Sequence, residues 1–135
     1  MKVFLDSNVF LYSFLNQDVA KKATAAKILA QAIWDGNGYV SLQVAKEFCN
    51  VMLRKSRKST GEIATALAIL RKFNMVEESL DLVQRALEIR ERCVIQFYDS
   101  LVLAAAEAGG CDVVLTEDLN DGQTYFGVKA VNPFK

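Results

Sequence analysis

The sequence predicts an α/β fold in which a central, mainly parallel β-sheet is covered by helices on both faces, a three-layer α/β/α sandwich. Three observations lead there. Apolar runs of three or four residues recur without polar alternation, as in strands buried on both sides. Segments with apolar residues at helical spacing separate these runs. Of 135 residues, 52% are hydrophobic, with one Pro and seven Gly, the make-up of a packed globular chain. At 15.0 kDa, surface scaling gives about 7,000 Å² accessible when folded, with roughly two thirds of the extended chain's surface buried. No repeat, low-complexity stretch or interior linker interrupts the chain, so residues 1–135 are expected to form a single domain.

Val3, Phe4 and Leu5 form the first strand, ended by Asp6-Ser7-Asn8. A helical segment follows over about Val9–Leu15. Asp18 can cap the next helix, whose stripe is Ala20, Ala23, Ile28, Leu29 and Ile33 and which stops at Asp35-Gly36-Asn37-Gly38. Tyr39–Leu42 is a second short strand. Over Gln43–Arg57, Val44, Phe48, Val51 and Met52 share one helical face. Ser59 or Thr60 starts a helix with Ile63, Leu67 and Leu70 inside, running to about Phe73. A brief extended piece near Met75-Val76 precedes helices over about Leu80–Arg92 and Gln96–Ala108. Gly109-Gly110 ends the last of these. Val113–Thr116 is a third strand, Asp118–Gly122 a loop, and Val128–Val131 a final strand before Pro133.

Composition excludes several chemistries. There is no His, so the chain has no Ser-His-Asp or Cys-His relay and no imidazole zinc ligand. Cys49, Cys93 and Cys111 are odd in number and form no CxxC pair, which suggests reduced packing thiols in a cytoplasmic protein. The longest charge-free run, Ser7–Gln17, has 11 residues, too short to span a bilayer. Met1-Lys2 leads straight into a strand without a signal-peptide pattern. Cytoplasmic localisation and no membrane partner are therefore expected.

In a parallel sheet, ligands bind at the carboxyl ends of strands where the strand order reverses. Asp6 follows the first strand and Asp118 the third, so both project at that edge. Glu47 lies early in the helix after the second strand, beside Val51 at the border of its apolar stripe. Asp99 sits near the start of a helix that is apolar almost all round, where an acid is buried only if paired or bound to a cation. Each acid has a plainer reading. Asp6 can open an Asx-turn or cap a helix, Asp99 can cap a helix starting at Ser100, Asp118 can belong to turn chemistry with Asp121-Gly122, and Glu47 can be solvated. Taken together, four acids without matching cations repel one another unless a divalent ion joins them, and hard oxygen-seeking Mg²⁺ or Mn²⁺ is the natural ion.

The ordered set Val3-Phe4-Leu5-Asp6-Ser7-Asn8, Glu47, Tyr98-Asp99-Ser100 with its Ala-rich helix, and Thr116-Glu117-Asp118-Leu119 resembles the PIN-domain ribonuclease signature. The closing Val131-Asn132-Pro133-Phe134 and the length are similar to the VapC-type toxins of toxin–antitoxin pairs. The resemblance covers about residues 3–134. It implies a PIN-like sandwich and a metal-dependent endoribonuclease whose acidic quartet is Asp6, Glu47, Asp99 and Asp118, holding Mg²⁺ or Mn²⁺ directly or through water. It further implies that Asn8 and Thr116 orient carboxylates or waters, that Glu117 is an auxiliary acid, and that the protein is a homodimer inhibited by a VapB-like antitoxin.

The zero net charge hides an asymmetry: residues 1–75 carry 11 basic and 5 acidic side chains, and residues 76–135 carry 5 and 11. Arg54, Lys55, Arg57 and Lys58 cluster after Glu47 and can contact RNA phosphates, or simply complement the helix dipole. Lys21, Lys22 and Lys27 read as a solvated face. Phe10, Tyr12, Phe14 and Trp34 read as core or subunit interface. Two other functions compete: a haloacid-dehalogenase-type phosphatase with Asp6 as nucleophile, weakened by Asn8 where that family has a second Asp, and a non-catalytic domain binding RNA or protein.

Overall fold

A computed structural model describes all residues, 1–135. In chain order the elements are β1 (Val3–Leu5), α1 (Ser7–Phe14), α2 (Val19–Asp35), β2 (Gly38–Ser41), α3 (Leu42–Lys55), α4 (Thr60–Leu67), a 3-10 turn (Ala68–Lys72), β3 (Asn74–Val76), α5 (Leu80–Cys93), α6 (Phe97–Ala108), β4 (Val113–Leu115), β5 (Thr124–Tyr125) and β6 (Val128–Val131). The strands form one sheet in the order β3-β2-β1-β4-β6-β5. All neighbours are parallel except β5, which runs antiparallel to β6.

The expected α/β class and mainly parallel sheet are thus present. From β1 the chain builds outward through β2 and β3, then returns to place β4 on the other side of β1. The strand order reverses between β1 and β4, and a crevice opens at their carboxyl ends. Helices α1 to α4 pack among themselves, whereas α5 packs on α6, and α6 lies across β2, β3, β4 and β6. Residues 102–106 of α6 are all buried, which is why that helix is apolar on every side. The accessible surface is 7636 Å², close to the value scaling gives. No helix is long and apolar enough to cross a membrane.

Local chemistry sets most boundaries. Asp18 caps α2 by accepting from the Lys21 amide at 3.0 Å, and Gly36 ends it in the left-handed region at φ 67°, a conformation that costs Gly nothing. Ser59 and Glu62 form a capping box at α4. Two boundaries, one alternative reading and one omission differ from what the sequence suggests. The first helix begins at Ser7, because Asp6 caps it. Leu42 opens α3 rather than closing a strand, because Ser41 caps that helix. Asp99 is not a cap; α6 starts at Phe97 with Gln96 as its N-cap, leaving the Asp99 carboxylate free. Finally β5 goes unanticipated. Its turn is Phe126-Gly127, with φ of 50° and 85°, so it has the positive-φ geometry of tight hairpins without the Asn or Asp that usually announces it.

Gly38 opens β2 where the sheet presses on α2. A Cβ there would lie 2.6 Å from Phe73 Cδ1 and 3.2 Å from the Ala32 methyl, and Phe73 is itself stacked edge-on against Phe10 at 5.2 Å. Gly38→Ala is therefore expected to cost about 1–3 kcal/mol by overpacking, with Phe73→Leu in the same chain returning part of it. Urea midpoints measure both; a single variant as stable as the wild type contradicts the close packing.

Candidate active site

Asp6 follows β1 directly and is 4% exposed. Its Oδ1 accepts from the Ser7 amide at 2.7 Å and its Oδ2 from the Thr116 hydroxyl at 2.8 Å. Burial outweighs these bonds and pushes its pKa up to about 7, with the charges of Glu47 and Asp118 adding to the rise. Thr116 directly follows β4, so its hydroxyl joins the ends of the two central strands. The same oxygen accepts from the Asp118 amide at 3.1 Å, setting the turn that carries Asp118.

Glu47 reaches in from the second turn of α3. Its Oε2 accepts from the Ser7 hydroxyl at 2.9 Å and its Oε1 from Gln43 Nε2 at 2.6 Å. That amide also donates to the Tyr98 carbonyl at 3.2 Å, which ties α3 to the first turn of α6 and so brings Glu47 toward Asp99. Asp99 is half-buried, and burial, then Asp118 and Glu47, push its pKa up to about 6. Asn8 Nδ2 donates to Asp118 Oδ2 at 3.3 Å. The Asp118 pKa is raised by partial burial and by Glu117, against the pull of that Asn8 bond.

The four acids therefore share one region and act on one another electrostatically. None forms an ion pair: the chain's salt bridges join Lys21 to Glu117 and Arg85 to Glu88 and Glu107. The carboxylates do not close around a point, since no three acids or thiols stand near enough to enclose an ion. Asn8 Oδ1 is buried without a hydrogen-bond partner. A buried acceptor with no donor is rare in a finished structure and marks a place for a further group.

Glu117 turns away from this group. It accepts from Tyr12 Oη at 2.5 Å and pairs with Lys21 Nζ at 3.1 Å, and the Lys21 ammonium lies 4.7 Å from the Tyr12 ring centre. Lys21 is accordingly not a solvated face residue but the counter-ion of Glu117. Phe134 stacks on Tyr12 at 4.9 Å, so the C-terminal segment covers the pair. Of the other aromatics, Phe10 is buried whereas Trp34 is 87% exposed. The three cysteines are free, with Cys111 buried.

The basic cluster stands apart from the acids. Lys55, Arg57 and Lys58 line a cleft of about 490 Å³ together with residues 14–17, and Arg54 is exposed one residue earlier. Asp99 and Asp118 line a different cleft, of about 670 Å³, with Arg90, Val94, Ile95 and Gln96. Sequence reasoning missed the supporting roles of Ser7 and Gln43. The Gln43–Glu47 contact was legible as an i,i+4 pair on α3; the Ser7–Glu47 bond joins residues 40 apart and left no local trace.

Comparison with known proteins bears on this arrangement. The PIN domain family matches residues 3–124. No curated protein matches the chain. Similar solved structures include VapC20 of Mycobacterium tuberculosis, a sarcin-ricin loop cleaving toxin, at TM-score 0.69 and 18% identity over 84% of this chain and 87% of that one. A toxin–antitoxin complex from Klebsiella pneumoniae matches at TM-score 0.68 and 20% identity, covering 98% of each chain. VapBC2 of Rickettsia felis, bound to a DNA fragment from its promoter, matches at TM-score 0.70 and 15% identity over 96% and 97%. At these identities the likeness is one of fold.

The raised acids make a pH prediction for the metal-free protein. With native pKa values of about 6 for Asp99 and about 7 for Asp6, above those of the unfolded chain, the native state holds protons that the unfolded chain has released. Their contribution is complete below about pH 4 and is lost as pH rises toward 7. Glu107, held low by Arg85, acts in the opposite sense but below that window. In EDTA, the melting temperature is expected to fall from pH 5 to pH 8, and Asp99→Asn to shrink the fall by about 2–4 °C. A variant with the wild-type pH slope contradicts the burial of that charge.

Proposed function

The chain belongs to the PIN-domain family, and from that premise we propose that it is a divalent-metal-dependent endoribonuclease and the toxin of a toxin–antitoxin pair. The observation that carries the reading is the group of four acids at the strand-order switch, none of them paired to a cation, in which burial and the neighbouring acids raise the pKa values of Asp6, Asp99 and Asp118. Such a group is costly unless it is neutralised by something outside the chain.

The donor set is all oxygen, which fits Mg²⁺ or Mn²⁺. Asp6, Glu47, Asp99 and Asp118 would hold the ion; their spread suits Mg²⁺, which keeps several waters and takes only one or two carboxylates directly. When bound, it supplies the Lewis acidity that activates water for in-line attack on a phosphodiester and offsets charge at the departing oxygen. The chain supplies orientation. Ser7 fixes Asp6 through its amide and Glu47 through its hydroxyl. Thr116 fixes Asp6 and the Asp118 turn together, and Asn8 aims Asp118. Glu117, neutralised by Lys21, ties the residue before Asp118 to Tyr12 of α1 and Lys21 of α2.

RNA as substrate is supported by the toxin named as cleaving the sarcin-ricin loop, and a VapB-like antitoxin partner by the two toxin–antitoxin assemblies. On this reading the protein is a single catalytic domain that works in the cytoplasm as a homodimer, with Arg54, Lys55, Arg57 and Lys58 as a second, outlying contact for RNA. The phosphatase alternative gains nothing here, since Asp6 is almost wholly buried with both oxygens engaged.

The purified protein is expected to cleave single-stranded or looped RNA with Mg²⁺ or Mn²⁺ and not with EDTA. Asp6→Asn or Asp99→Asn should each lower the rate at least about 100-fold, beyond the loss typical for groups that merely support a metal ligand. Cleavage that survives chelation or either substitution contradicts the metal site, and phosphomonoester turnover without RNA cleavage revives the phosphatase. An independent readout is thermal: Mn²⁺ at 100 times its Kd stabilises the native state by about 2.7 kcal/mol, a rise expected for the wild type and absent from Asp99→Asn.

A further inference from the structure

The cleft of about 670 Å³ beside the acids is within the range of sites that enclose a drug-sized ligand, roughly 300–1,000 Å³. One wall is Asp99 and Asp118; the other is the turn between α5 and α6, with Arg90, Val94, Ile95 and Gln96. Residues 76–135 carry a net charge of −6, more than a single divalent ion offsets, so a polyanion entering the cleft gains from a cation on the opposite wall. Arg90 is the one cation lining the cleft. Its guanidinium joins none of the chain's salt bridges, whereas Arg85, on the same helix, is committed to Glu88 and Glu107.

Val94 adds a second sign. It ends α5 in the left-handed region at φ 52°, where a β-branched residue is strained and Gly is the usual choice. Its side chain is 87% exposed, so no packing in the core repays that strain. Strain kept at the rim of a cleft points to a function for the side chain held there. Next to it, Gln96 caps α6 without a side-chain hydrogen bond, leaving its amide free in the cleft.

We propose that Arg90, Val94 and Gln96 seat one nucleotide of a single-stranded RNA next to the phosphate to be cut. The Arg90 fork takes the flanking phosphate, Val94 covers the face of the unstacked base, and the Gln96 amide reaches its edge. The seat rests on the nuclease reading above and adds to it the side from which the strand enters.

Cleavage kinetics of a single-stranded RNA with Mn²⁺ across a salt series test it, using the wild type, Arg90→Gln, Arg90→Lys, Val94→Gly and the charge-loss control Lys27→Gln on the exposed face of α2. Arg90→Gln is expected to raise KM about tenfold and to reduce the slope of log affinity against log salt by about 0.7, one single-strand phosphate contact. The loss falls in KM rather than kcat, and Arg90→Lys recovers part of it. Val94→Gly is expected to melt roughly 2–6 °C higher and yet to bind RNA less well. A wild type that cuts no RNA overturns the nuclease reading itself. A wild type that cuts RNA, with Arg90→Gln matching it or matching Lys27→Gln in KM and salt slope, overturns the seat alone. Lost melting temperature in Arg90→Gln with KM intact likewise overturns it, because that is the mark of a helix-dipole role. Unchanged KM in a stabilised Val94→Gly overturns the assignment of the base to Val94.

Discussion

Asp6 carries a carboxylate into a place where water hardly reaches, at the point where the middle strand leaves the sheet, and the neighbouring elements are arranged around that fact. Its two oxygens are met by the Ser7 amide and the Thr116 hydroxyl, two charge-assisted bonds of the kind that exceed an ordinary hydrogen bond in strength. They are still not enough to keep the acid at its ordinary pKa. The residual cost stays with the site, because burial has desolvated this carboxyl group in advance. The start of α1 and the residue that follows β4 both bond this one carboxylate, and the Thr116 hydroxyl that does so also sets the turn bearing Asp118.

The supporting bonds also divide the acids into held and unheld. Asp6, Glu47 and Asp118 each accept at least one side-chain hydrogen bond. Asp99 is positioned by helix α6 alone, which is stiff because its buried face packs on both the sheet and α5. Glu117 shows the contrasting solution. One position before Asp118, it meets a lysine and a tyrosine and becomes part of the framework. Adjacent acids in one turn thus have opposite fates, set by whether a cation from another element reaches them.

Much of this was legible in the sequence. Short apolar runs between helical stripes predicted the parallel sheet, and the position of acids just after such runs predicted the crevice, because strand ends and strand-order reversals follow from topology rather than from side-chain detail. The caps at Asp18 and Ser59 were local signals and held. What escaped depended on distance along the chain. Lys21 has the look of one among several helix lysines until Glu117, 96 residues on, comes beside it. The β5–β6 hairpin escaped for the opposite reason, since its turn is local but uses Phe at a position where the usual signal is Asn, Asp or Gly. Arg90 and Val94 follow no motif; only the packing of α5 against α6 places them opposite the acids. The basic run after Glu47 was visible, yet its cleft proved to be separate from the acid-lined one.

The sheet ends in a strand of three residues on one side and of two on the other. On the three-residue side, the Asn74 side chain reaches across to the Gly38 carbonyl. Borders this brief offer almost no row of free amides and carbonyls to an incoming chain, so they blunt the edge-to-edge pairing that leads open sheets into fibres. They also leave little purchase for recognition by strand addition. Molecules that meet this protein are left to engage helices, turns and the mouths of its clefts, where side chains rather than backbone decide who fits.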